Sequence, residues 1–144
     1  MSHESKIANL LYLYAERMDG GDLDGAALLF RHADIMVLGK DAPINHQELR
    51  EIWNNFVQIH PCGTPRTKHI VSNPIIDVDD AGTKASCRSY YTVLQQTDEL
   101  PLQIIAAGRY HDRFQRVDGE WRFVFRDYRL FDHVGDVSQH LKHM

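Results

Sequence analysis

Residues 102–131 read LQIIAAGRYHDRFQRVDGEWRFVFRDYRLF, and this stretch decides the fold class. β-Branched and aromatic residues recur in it with a period of two, and Asp118-Gly119 interrupts them with a dipeptide typical of tight hairpin turns. The same period begins after Pro65, so we predict four long strands at about 67–79, 83–97, 102–116 and 121–131. A further short strand is predicted at 34–39.

The N-terminal part of the chain has helical spacing instead. Apolar residues recur every three or four positions before Gly20-Gly21 and predict a first helix, whose inner face is Ile7, Leu10, Leu11, Tyr14 and Met18. Asp22 is suited to cap a short second helix. Asn45 with Glu48 three residues later predicts a capping-box start for a third helix, which ends near Pro61.

The order of these elements is helix, helix, strand, helix and then four long strands, which excludes an alternating parallel α/β fold. We predict an α+β fold, a cone-shaped barrel in which three N-terminal helices pack on a curved, mixed, mostly antiparallel sheet. Such a cone encloses an apolar pocket, which is a common place for a ligand. We predict one domain over residues 1–132 and a polar C-terminal tail over 133–144.

Composition excludes several classes of function. The chain has 144 residues, a formal charge of -4 and 16 basic residues, so no concentrated positive face for nucleic acid is expected. Its apolar runs are far shorter than the roughly 20 residues of a membrane helix, and its first residues lack the order of a secretory signal, which predicts a cytoplasmic protein. The spacing of the nine histidines and two cysteines predicts neither a metal site nor a disulfide framework. We therefore expect chemistry without a cofactor.

Three stretches resemble one protein family. They are YAERMDGGDLDGAALLF at 14–30, TKHIVSN at 67–73, and GRYHDRFQRVDGEWRF at 108–123 followed by Arg126. Together and in this order they are similar to the SnoaL-like branch of the nuclear transport factor 2-like superfamily, whose fold is shared with ketosteroid isomerase and scytalone dehydratase. The resemblance implies a cone-shaped fold and a homo-oligomer, a dimer or trimer formed through the outer sheet face. It leaves function open, because this fold hosts isomerases, dehydratases, cyclases, oxygenase subunits and binders.

His69 and Tyr14 are the first candidates for catalysis. His69 shares one side of its strand with Thr67, Val71 and Asn73, and an imidazole in an apolar wall is suited to proton transfer near neutral pH. The resemblance implies a general acid or base at His69, while the alternative is a core histidine bonded to Asn73 or the backbone. Tyr14 lies on the apolar helix face, where its hydroxyl could polarise a carbonyl or serve only as a buried aromatic.

Asp19 is the third candidate. It follows Tyr14 by five residues, about 140° around a regular helix, so both enter one cavity only if the helix unwinds at Gly20. A carboxylate near a helix C-terminus meets the unfavourable end of the dipole, which hints at another use. The resemblance implies that Asp19 lies in the pocket, where it orients His69 or acts as the base; the alternative is a solvated residue at the helix end.

Further residues are expected to line the substrate pocket, and they are Trp53, Phe56, Asn73, Tyr90, Tyr110 and Arg129. Trp53 and Phe56 lie on the apolar face of the third helix and are expected to form a wall. On the second long strand, either the set with Tyr90 or the alternate set could face inward. For Arg126 an ion pair with Asp112 is the favoured interpretation.

These observations predict a lyase or isomerase that moves a proton on a small hydrophobic cyclic molecule without a cofactor. His69 would be the base, assisted by Asp19, and Tyr14 would bond the developing oxyanion. One alternative is a non-catalytic ligand-binding or assembly module of the same fold, in which Asp19 would be turned away from His69. Another is the small subunit of an oxygenase, which needs a large partner chain.

Overall fold

The hairpin at Asp118-Gly119 joins the two strands quoted above. The structure, a computed structural model, describes residues 1–142. Asp118 and Gly119 have φ values of 52° and 81°, and Val117 pairs with Glu120 across them, as in the turns that match the twist of a hairpin. The predicted turn is therefore confirmed.

The sheet contains six strands, and the helices pack on one of its faces. The helices are α1 (His3–Asp19), α2 (Leu23–Leu28) and α3 (His46–Phe56). The strands are β1 (Asp34–Met36), β2 (Thr67–Val78), β3 (Lys84–Thr97), β4 (Leu100–Val117), β5 (Glu120–Asp127) and β6 (His133–Val134). Their order is β1-β5-β4-β3-β2, with β6 on β4 and only β1 and β5 parallel among the pairs. This confirms the predicted α+β fold with a mixed, mostly antiparallel sheet.

Local capping signals place the ends of the helices. The Asn45 side chain accepts a hydrogen bond from the Glu48 backbone N–H, and the Glu48 side chain accepts one from the Asn45 N–H, which completes the predicted capping box. Beyond α1, Gly21 has a φ of 80°. A Cβ atom on Gly21 would lie 2.1 Å from the carbonyl oxygen of Gly63, so both the conformation and the space require glycine.

The period of two along β3 decides which side chains face the helices. Cys87, Ser89, Tyr91 and Val93 are buried, whereas Arg88 and Tyr90 face outward. The inner set packs against the apolar faces of the helices in one continuous core. β2 lies at the edge of the sheet beside α1, and this places its first residues next to the end of that helix.

The segment after residue 132, predicted as a polar tail, packs on the domain as far as residue 142. Val137 is buried in the core, and Leu141 forms a β-bridge with Val57 just beyond α3. The Gln58 backbone N–H donates to the carbonyl of His140 at 2.8 Å. The last two positions of the predicted tail, 143 and 144, lie outside the described residues. Within residues 1–142, no helix has the length and apolar character that crossing a bilayer requires.

Candidate active site

A buried carboxylate and a buried imidazole meet where α1 ends beside β2. The Asp19 Oδ1 atom accepts hydrogen bonds from the Thr67 hydroxyl at 2.8 Å and from His69 Nδ1 at 2.6 Å, and Oδ2 accepts one from the His69 backbone N–H at 2.7 Å. The side chains of His69 and Asp19 are 6% and 9% exposed. Thr67 and His69 bind the same carboxylate because alternate residues of a strand share one face.

Asp19 reaches this position without unwinding of α1. The helix is continuous from His3 to Asp19, and Gly20 still has helical φ and ψ. Asp19 is the last helical residue, so its side chain extends past the helix end to the neighbouring strand. β2 passes close to both residues, but only Asp19 lines the cleft beside His69, whereas Tyr14, about 140° around the continuous helix, is fully buried.

The contact with Asp19 determines which tautomer the His69 ring adopts. A carboxylate oxygen only accepts hydrogen bonds, so Nδ1 is assigned as the protonated nitrogen and Nε2 carries the free electron pair. Within residues 1–142, Nε2 makes no hydrogen bond. An imidazole fixed in one tautomer by a carboxylate is suited to act as a general base, because the carboxylate also stabilises the imidazolium that forms.

Tyr14 lies beside His69, with ring centroids 6.3 Å apart. Its side chain is fully buried, and its hydroxyl forms a short hydrogen bond with the hydroxyl of Tyr128. Burial raises the pKa of Tyr14 well above its ordinary value, so the phenol stays protonated and remains a hydrogen-bond donor. Tyr128 is a site residue that the sequence analysis did not identify. The sequence feature that could have indicated Tyr128 is its spacing of two from Arg126, which places both residues on the inner face.

The interior of the cone contains an ion pair within an aromatic cage. Arg126 donates to Asp112 through Nε at 2.7 Å and through Nη2 at 3.1 Å, and both side chains are fully buried. This confirms the favoured interpretation of Arg126. The guanidinium carbon lies 3.8 Å from the ring centre of Tyr110 and 4.6 Å from that of Tyr14. The interior, predicted to enclose an apolar pocket, thus holds a buried ion pair packed among aromatic rings.

The structure brings two of the predicted pocket residues to this centre. The ring of Trp53 lies 6.3 Å from that of Tyr14 and 6.5 Å from that of Tyr128. The ring of Tyr110 lies 5.9 Å from that of Tyr14, and both Trp53 and Tyr110 are buried. Aromatic side chains thus pack around Tyr14 in the core, and neither Trp53 nor Tyr110 lines the cleft that reaches His69.

The structure does not bring the other four predicted pocket residues to the centre. Tyr90 is 53% exposed, because its strand parity turns it to the outer sheet face. Asn73 is exposed with a φ of 54°, because the register of β2 shifts between Ser72 and Ile75. Arg129 is exposed and pairs with Asp127 at 2.9 Å.

Phe56 is the fourth of these residues. It lies at the last position of α3 and is 41% exposed. The face of the helix that packs inward is made by Leu49 and Trp53, so Phe56 lies beyond the part of α3 that covers the sheet.

A cleft gives solvent access to the carboxylate and imidazole. Its volume is about 1120 Å³, and its lining includes Ala15, Asp19, Thr67, His69 and Val71. This volume is large enough for a small cyclic molecule. Among residues 1–142 there is no group of three or more His, Cys, Asp or Glu side chains arranged to hold a metal ion.

Comparison with known proteins places this architecture in a family. The SnoaL-like domain matches residues 1–127. A protein of unknown function from Mycobacterium tuberculosis is 25% identical to this chain, with a TM-score of 0.68. The match covers 92% of this chain and 73% of that protein. An NTF2-like protein with a cystatin-like fold from Novosphingobium aromaticivorans has 19% identity, coverage of 89% and 81%, and a TM-score of 0.70.

A further solved structure, from Novosphingobium aromaticivorans, is named as a candidate scytalone dehydratase. It is 24% identical to this chain with a TM-score of 0.65, and the match covers 88% of this chain and 82% of that protein. No curated protein matches the sequence. The structural similarity confirms the fold that the resemblance implies, and the family match covers all three helices and the strands β1 to β5. The chain therefore belongs to the SnoaL-like domain family.

Proposed function

We propose that this protein is a cofactor-independent lyase or isomerase, in which His69 removes a proton from a small hydrophobic cyclic substrate. The observation that carries the proposal is the buried 2.6 Å hydrogen bond between Asp19 and His69. A non-catalytic binding module of the same fold has no need of a carboxylate on its imidazole. The contact therefore supports the enzyme over that alternative.

The reaction begins at a carbon next to a carbonyl group. Nε2 of His69 takes the proton from this carbon, and the negative charge moves to the carbonyl oxygen. When the Tyr128 hydroxyl donates to Tyr14, the hydrogen of Tyr14 is available to the developing oxyanion. A preorganised donor of this kind contributes about 3 kcal/mol to the stability of such a charge.

The proton that His69 has taken can be released in either of two reactions. In a dehydration, the bond from the neighbouring carbon to a hydroxyl breaks, and the leaving hydroxide takes the proton from His69, which yields water and a conjugated ketone. In an isomerisation, His69 returns the proton to a different carbon and the double bond moves. The fold shared with the protein named as a candidate scytalone dehydratase makes dehydration the first reaction to test. We also propose that the protein is cytoplasmic and that it forms the homo-oligomer that the resemblance implies.

The experiment uses 5-nitrobenzisoxazole, which opens to a coloured cyanophenolate when a base removes its ring proton. We expect His69→Gln and Asp19→Asn each to lower its turnover on the order of 100-fold, because a positioned base contributes at least that much. His111→Gln is the matched control, since His111 lies exposed on the outer sheet face. A wild-type rate no higher than that of His69→Gln would reject the proposal.

A further inference from the structure

Two basic residues, Arg66 and Lys68, lie at the start of β2 on either side of Thr67. Both line the cleft that gives access to His69. Lys68 has the opposite strand parity to His69, but β2 is the edge strand of the sheet, so side chains from both of its faces can border one cleft. The cleft therefore holds two positive charges beside the imidazole.

Neither positive charge is neutralised by a side chain in the described part of the chain. Within residues 1–142, the Arg66 guanidinium and the Lys68 ammonium form no ion pair and no hydrogen bond. The Asp19 carboxylate lies in the same lining, but three hydrogen bonds from Thr67 and His69 already occupy its oxygens. Both cations are therefore available to a ligand.

The backbone of Arg66 is a second, independent observation. Its φ is 59°, in the left-handed region that glycine and asparagine adopt at lower cost. The flanking residues hold it there, because the Gln95 side chain donates to the carbonyl of Pro65 at 2.9 Å and the Thr67 hydroxyl donates to Asp19 at 2.8 Å. An arginine at this position carries a conformational cost, and a role for its side chain in the cleft explains why it is there.

The rest of the lining indicates the shape and charge of the ligand. Apolar side chains can pack against a ring, and they are Ala15, Val71, Leu94 and Leu102. Glu16 lines the wall formed by α1, opposite the basic wall formed by β2. Apart from the occupied Asp19, the lining thus has a surplus of one positive charge, which matches a singly charged carboxylate better than a phosphate monoester.

We propose that Arg66 and Lys68 bind a carboxylate group of the substrate, so that the substrates of this site are cyclic carboxylic acids. This inference rests on the proposed function of His69. The guanidinium fork of Arg66 binds the carboxylate through two parallel hydrogen bonds, and Lys68 adds a point charge. Glu16 repels the same group, so the ring enters in one orientation. The carboxylate itself does not react, and His69 takes its proton from a ring carbon as described above.

The test measures ligand binding to the full-length protein by isothermal titration calorimetry. The ligands are 2-naphthoate and 2-naphthamide, which share a ring system and differ in charge. We expect wild type to bind the naphthoate at least about tenfold more tightly than the amide, because each exposed cation contributes up to about fivefold. In the double variant Arg66→Gln with Lys68→Gln, the two affinities should agree within about twofold.

The matched control is Lys40→Gln, which removes one positive charge from an exposed residue outside the cleft lining. It should keep the wild-type preference for the naphthoate. The preference of wild type should also shrink as salt is raised, since exposed charges are screened. In the rate assay, the naphthoate should compete with 5-nitrobenzisoxazole, because both occupy the cleft beside His69.

The outcomes separate this inference from the proposed function. Equal affinities of wild type for the two ligands, or a preference that survives in the double variant, would overturn the inference. Loss of the preference in Lys40→Gln would also overturn it, because net charge alone would then explain the binding. Equal rates of 5-nitrobenzisoxazole opening in wild type and His69→Gln would reject the base, while the calorimetric result would still stand.

Discussion

Lowering the pH from about 7.5 to 5 should reduce the free energy of unfolding by about 2 kcal/mol, through the titration of His140 alone. The ordinary pKa of histidine is 6.5, and burial followed by the charge of His69 lowers that of His140 to about 4. Below the ordinary value the unfolded chain binds a proton that the folded chain does not, so stability falls as the pH falls. The full effect of such a gap is about 3 kcal/mol, and it is reached below pH 4.

The assay is urea unfolding of wild type and His140→Gln at several pH values between about 7.5 and 5, followed by tryptophan fluorescence. Glutamine does not titrate, and the other ionisable groups are present in both proteins. The difference in free energy of unfolding between the two should therefore shrink by about 2 kcal/mol over this range. A difference that stays constant with pH would mean that the surroundings of His140 do not keep it neutral.

Three further predictions concern the interior and the outer face. Asp112→Asn should lower the free energy of unfolding in urea by about 3–5 kcal/mol, because it leaves the Arg126 charge buried without its partner. The double variant Asp112→Leu with Arg126→Met should recover most of that loss. Equal losses in the two variants would contradict this account. Tyr128→Phe should cost about 1–2 kcal/mol, and adding Tyr14→Phe should cost little more, since one hydrogen bond joins the two hydroxyls; additive losses would argue against the pair. Ile104 is 59% exposed on the outer sheet face, so Ile104→Lys should convert the expected homo-oligomer to a monomer in size-exclusion with light scattering; an unchanged mass would move the interface elsewhere.

Local signals made the fold predictable from the sequence. The capping box at Asn45 and Glu48 and the turn at Asp118-Gly119 depend on residues within three or four positions of each other. The alternation along β3 is equally local, although only the structure shows which of its two sets faces inward. These elements depend little on distant contacts, so their residues alone indicate them.

The candidate site was only partly predictable, because its contacts join distant parts of the chain. Asp19 and His69 were identified by resemblance, whereas the hydroxyl partner of Tyr14 lies 114 positions away, on Tyr128. The burial of His140 was missed because its segment has a polar composition. This burial results from contacts made by neighbouring side chains, such as Val137 in the core. Polar composition indicates exposure only where no such contact occurs.

The close approach of Gly21 to Gly63 has a consequence for how this protein could vary in sequence. Any side chain at Gly21 meets backbone, which cannot rotate away, so the loop at 60–64 would have to move. That loop leads into β2, which carries His69, while Gly21 follows Asp19 by two residues. A substitution at Gly21 would therefore alter the spacing of Asp19 and His69 while leaving both residues in place. Under the proposed function, this glycine should behave as a position that adjusts the basicity of His69 without contacting the substrate.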